Sequence, residues 1–142
     1  MPVNLKLQIE KNMLAIISLV VAIVALSYNS WRNELSEDNR NIRAAGFEIM
    51  REAATLQFYI DATTFAEMAK DEDVIQGWVS VNLIVSLSEL ISPTVNKRAN
   101  NLKKVWTDHW SRLANDQSAN QKITEANNLL TKEVKIHLAS LK

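Results

Sequence analysis

Residues 24–40 read VALSYNSWRNELSEDNR. This stretch is either the site where a secretory leader is removed or the place where a membrane helix leaves the bilayer. Before and into it, Asn12 to Trp31 is a run of twenty residues without a charge, most strongly apolar at Met13–Leu26. Twenty helical residues rise ~30 Å, about the hydrocarbon thickness of a bilayer. Lys6, Glu10 and Lys11 bound one end and Arg32 the other, while Tyr28 and Trp31 stand where an aromatic belt belongs. The leader reading rests on the short apolar core and on Ala25–Leu26–Ser27, a small-x-small cleavage pattern. Glu10, beside the core where a leader carries clean positive charge, favours an uncleaved anchor. The expectation is a short tail over 1–12, a transmembrane helix over 13–31 and a helical domain over 32–142.

Composition narrows the class of that domain. The chain has 142 residues, no Cys, two Gly and two Pro, and a formal net charge of zero. Sandwiches and barrels need a turn every few residues, which so few turn-formers do not supply. Long helices with few connections remain. The lack of Cys excludes disulfides, thiolate metal sites and Cys nucleophiles. Zero net charge gives no global attraction to a polyanion, so nucleic acid is not an expected partner.

The expected fold is all-α: the transmembrane helix continues into an up-down four-helix bundle with helices at about 35–69, 73–91, 93–115 and 119–140. In the first, Leu35, Ile42, Ile49 and Leu56 recur every seven residues, with Gly46, Ala53 and Ile60 beside them. Phe47, Met50, Ala54, Phe58 and Phe65 widen the apolar face. That helix should stop near AKDEDV, with Asp71 capping the next. WVSVNLIVSLS (78–88) alternates like a strand but has no partner strand, so it reads as a helix apolar almost all round and packed centrally. Ser92 and Pro93 read as N-cap and first helical residue. Ser118 with Gln121 reads as a capping box, opening a last helix whose apolar face is Ile123, Leu130, Val134, His137 and Leu141.

Four sets of residues are candidates for use. Ala15, Ser18, Ala22 and Ala25 form a small-residue stripe on the membrane helix, suited to close helix contact. Leu35, Ile42 and Ile49 form a stripe that shorter neighbouring helices are expected to leave partly uncovered. That predicts either a kink between Tyr28 and Ser36, where Asn29, Ser30 and Asn33 are poor helix formers, or two distinct neighbours. Trp106, His109 and Trp110, with Phe58, are either a ligand pocket or core, and core is the expected answer. Lys97, Arg98, Lys103 and Lys104 are an anionic-surface contact if they are not simply solvated. No catalytic residue and no metal or cofactor ligand is assigned. His109 and His137 fall at different levels of such a bundle and cannot bracket one ion, and no phosphate loop or nucleophile elbow occurs.

Residues 39–50, NRNIRAAGFEIM, together with the anchor before them, resemble small single-pass membrane proteins of unknown function from Gram-negative bacteria. The resemblance implies an inner-membrane location and brings no activity with it. Arg32, Arg40 and Arg43 argue for a cytoplasmic domain, and the short, signal-like N-terminus for a periplasmic one, which is the expectation. The function expected is a non-enzymatic, membrane-anchored interaction protein. It would be an accessory or assembly subunit of a larger membrane complex or a homo-oligomer, in contact with the bilayer and with other subunits or itself. The alternative is a periplasmic four-helix sensor-like domain holding a small ligand.

Overall fold

A computed structural model describes residues 9–65 and 71–141, backbone only at 71–74. No strand occurs among them, and the class is all-α. Helix α1 runs Met13–Phe65, α2 Asp71–Ser88, α3 Pro93–His109 with a 3₁₀ turn at Trp110–Arg112, and α4 Gln117–Ser140. Asn39–Lys142 forms one compact unit and the residues before it another.

The segment at 13–31 continues into the first helix of the bundle, as expected. Helical structure continues through Asn29, Ser30 and Asn33 without a break. Each of these residues costs only ~0.5 kcal/mol against Ala, too little to stop a helix already propagating from both sides. The expected Asp71 cap lies outside the described side chains.

The core draws on all four helices. From α1 come Ala45, Ile49, Ala53, Leu56 and Ile60, the three-and-four spacing that the sequence shows. Phe47, Phe58 and Phe65, expected to widen that face, are instead exposed, and so is Ala54. Only Met50 of that flank packs against the core.

Helix α2 is helical as expected but is not packed centrally. It buries Gly77, Ser80, Val81, Ile84 and Ser88, a narrow stripe of mostly small residues, and leaves Ile75, Val79 and Leu83 exposed. It ends at Ser88, before the expected residue 91, because the chain turns there. The N–H groups of Leu90 and Ile91 donate to the carbonyls of Leu87 and Ser88.

Helix α3 begins as the sequence dictates. Ser92 has extended backbone, its hydroxyl accepts from the Val95 N–H at 3.3 Å, and Pro93 follows at the first helical position. It was expected to reach Asn115, but after His109 the helix tightens to 3₁₀. That turn seats Leu113, 3% exposed, in the core. Helix α4 is capped by Asp116, not by Ser118. The extended backbone of Asp116 aims its carboxylate at the Ser118 N–H, 2.9 Å away. An ionised carboxylate is a stronger acceptor than a hydroxyl. The Ser118 side chain first, and the Ser118 N–H second, hold the Asp116 carboxyl below its usual range.

Side-chain contacts give the pairing of the helices. Arg43 donates to the Leu141 carbonyl, Gly46 faces Leu138, Asn127 donates to the Ala53 carbonyl, and Gln57 bonds to Thr124. Numbers fall along α4 as they rise along α1, so the two are antiparallel. Gly77 against Trp106 and Ser88 against Asn96 show the same for α2 and α3. Arg98 with Glu133 joins α3 to α4, and Ser80 with Glu52 joins α2 to α1.

The α1–α4 seam carries a polar ladder that sequence reading missed. Asn127 donates to the Ala53 carbonyl at 2.8 Å and to Gln57 at 3.3 Å. Asn120 donates to Asp61 at 3.0 Å and to Thr64 at 3.2 Å. Both asparagines are buried. A slip of register would strand these amides at a cost of ~1–3 kcal/mol each, so the ladder fixes how α4 lies on α1. Its signal was present as Asn120, Thr124, Asn127 and Thr131, polar residues at helical spacing inside an apolar face.

Candidate functional site

Helix α1 is the one described helix long and apolar enough to cross a membrane, and residues 13–31 within it are exposed. Ala15, Ser18, Ala22 and Ala25 are all exposed. The Ser18 hydroxyl donates to the Leu14 carbonyl at 2.8 Å, so its proton is satisfied within the helix. Tyr28 and Trp31 lie against each other, ring centroids 6.2 Å apart, at the polar end of the segment.

The stripe of Leu35, Ile42 and Ile49 is divided. Ile49 is fully buried and Ile42 packs against the same core, while Leu35 is 47% exposed. Ile49 is therefore closed to a partner, and Ile42 is partly covered. The reason is the reach of α4, whose 24 residues span ~36 Å and bring Leu138 to Gly46 and Leu141 to Arg43.

The aromatic residues separate in the same way. Trp106 is 2% exposed and lies edge-on to Trp78, with ring centroids 6.2 Å apart. Trp78 in turn meets Trp110 at 6.4 Å. Gly77 explains the fit, since a Cβ there would stand 2.5 Å from the Trp106 ring. The tryptophans are core, as expected for Trp106, and Trp110 is partly buried at its edge. His109 is half-buried and accepts from Arg112 through Nδ1. It borders a shallow groove between α3 and α4 with Val105, Lys122 and Leu129. Phe58 belongs to none of this: it sits on the outer face of α1.

The basic residues hold less free charge than their sequence suggests. Lys97 and Arg98 border a groove of about 360 Å³ with Thr94 and Asn101, but Glu133 lies in the same groove, 4.0 Å from Arg98. Lys104 is exposed and Lys103 half-buried. Among the described residues no three His, Asp or Glu side chains come together in a metal-binding arrangement.

On α1 and α2 the helices leave a line of apolar residues open, with Arg51 beside it on α1. At 100° per residue Phe47 and Phe65 lie five full turns apart on one line, with Ala54 and Phe58 within about 20° of it. The buried Leu56 is about 180° away. On α2, Ile75 and Leu83 flank Val79 within about 40°, opposite the buried Ser88. Contiguous apolar surface of this kind marks a contact site on a soluble face. The geometry of these faces suits helix packing. Comparison with known protein families, with curated proteins and with solved structures gives no match for this chain.

Proposed function

We propose that this chain is a membrane-anchored, non-enzymatic interaction protein. Residues 13–31 serve as an inner-membrane span, and the up-down bundle of 39–141 presents a docking face in the periplasm. The observation that carries this reading is the exposed line Phe47–Ala54–Phe58–Phe65, outside a core that is complete without it. A face of three phenylalanines costs solubility and adds nothing to the chain's own packing, so its use lies in contact with another helix. The bound neighbour is another subunit of a membrane complex or a second copy. The small-ligand reading has less support, because Trp106 is filled against Gly77 and Phe58 faces away from it.

The test is behaviour in native membranes. The protein should stay with the membrane through an alkaline carbonate wash and, crosslinked in the membrane before extraction in mild detergent, migrate as a species larger than one chain. Release by the wash would remove the anchor. A chain that stays monomeric after crosslinking in the membrane would remove the partner.

A further inference from the structure

The outer face of α1 is more than apolar, because its residues are arranged symmetrically. Two seven-residue rows interleave along it: Phe47, Ala54 and Asp61, and Arg51, Phe58 and Phe65. Rows spaced alternately by three and four are the seam of a coiled coil. About residue 56 the two rows mirror each other in position. Phe47 answers Phe65, Arg51 answers Asp61, and Ala54 answers Phe58.

We infer that this face pairs with the same face of a second copy, in antiparallel register centred on residue 56. The inference rests on the interaction reading above and names its partner. In that register each layer is complementary: Phe47 meets Phe65 of the other copy, the small Ala54 receives the large Phe58, and Arg51 meets Asp61. A parallel pair would set Arg51 against Arg51 and Asp61 against Asp61, with two Phe58 rings crowded in one layer and a gap between two Ala54 in another. Like charges across a seam specify against that arrangement.

The groups are placed for it. Arg51 is 70% exposed and pairs with Glu48 and Glu52 of its own helix. Asp61 is half-buried, and its bonds from Gln57 and Asn120 both fall on Oδ1. The contact is self-complementary, as a two-fold pair requires. The phenylalanines, exposed by 60%, 69% and 65%, offer roughly 400 Å² per copy, about half of what a partner gives to a standard interface. The pair is accordingly reversible and needs trapping to be seen.

The chain has no Cys, so thiols report cleanly. Full-length Phe47→Cys and Phe65→Cys chains, co-expressed and extracted in mild detergent, should form a 47-to-65 disulfide on oxidation. Each variant alone should form none, because like positions stand ~27 Å apart in this register. Adding Arg51→Glu should lower the yield several-fold, and Arg51→Lys should restore it. A disulfide from Phe47→Cys alone would overturn the register, and a yield indifferent to Arg51→Glu would overturn the charge pairing. Capture of a different protein at position 47 would overturn self-pairing and leave the interaction reading standing. Free, reactive thiols on a monomeric chain would overturn both.

Discussion

The outer faces of α1 and α2 and those of α3 and α4 surround one core yet differ in chemistry. On α1 and α2 the outward residues include Phe47, Phe58, Phe65, Ile75 and Val79, each at least half exposed, with Arg51, Gln76, Asn82 and Ser86 among them. On α3 and α4 they are Lys97, Arg98, Asn100, Asn101, Lys104, Lys132 and Lys135, with Leu129 and Ile136 standing singly among them. Packing makes no such distinction, because every helix contributes buried residues to the same cluster. On the proposed reading, solvation suffices for the α3–α4 side and a partner covers the other.

The largest effect expected within this contrast sets core against outer face. Trp106→Ala should destabilise the domain by ~3–5 kcal/mol, while Phe58→Ala, of similar aromatic character, should change isolated-domain stability by less than ~0.5 kcal/mol. Thermal unfolding of the two variants compares them directly. If Phe58→Ala were the costlier, that ring would belong to the core. Gly77→Ala comes next. Alanine favours a helix by ~1 kcal/mol over glycine, but a rigid ring stands 2.5 Å from the new Cβ. Overpacking of ~1–3 kcal/mol should win, giving a net loss in the melting curve. A gain would mean that Trp106 moves aside freely.

Smaller effects sit at the helix starts on the solvated side. Ser92→Ala should cost ~1 kcal/mol by removing the acceptor for the Val95 N–H, read as a lower melting temperature. The Asp116 cap should act through pH. Its carboxyl titrates below the ordinary aspartate value of 3.8 when folded, first because of the Ser118 side chain and second because of the Ser118 N–H. The ionised form is therefore the one that folding favours. Its contribution is present above the unfolded value and is lost as pH falls through the folded one. Asp116→Asn should flatten the acid limb of the stability curve below about pH 3.8 and leave the neutral region nearly unchanged. An unaltered acid limb would argue that the bond to Ser118 is not maintained in solution.

These particulars also show where sequence reading succeeds and fails. The start of α3 was legible because Ser92–Pro93 is a local device whose geometry depends on nothing distant. The core line of α1 was legible because its spacing is helical over many turns. The fate of Phe47, Phe58 and Phe65 was not, since apolar residues on opposite faces of a helix look alike until its neighbours are placed. Contacts such as those from Glu52 to Ser80 and from Gln57 to Thr124 show which side the other helices take. The cover over Ile42 and Ile49 depended likewise on how far α4 returns along α1. Asp116 was passed over because two acceptors, at 116 and 118, compete for one helix start, and backbone conformation chooses between them.

Thiol accessibility in native membranes tests the central claim most directly. Phe58→Cys and Lys104→Cys place single thiols on the two contrasted faces of a chain without cysteine. A polar, membrane-impermeant maleimide should be applied with the domain's compartment opened to it. The account predicts rapid labelling at 104 and protection at 58, lifted when the protein is unfolded. Equal, rapid labelling at both positions in the native membrane would contradict it, because the phenylalanine face would then have nothing covering it.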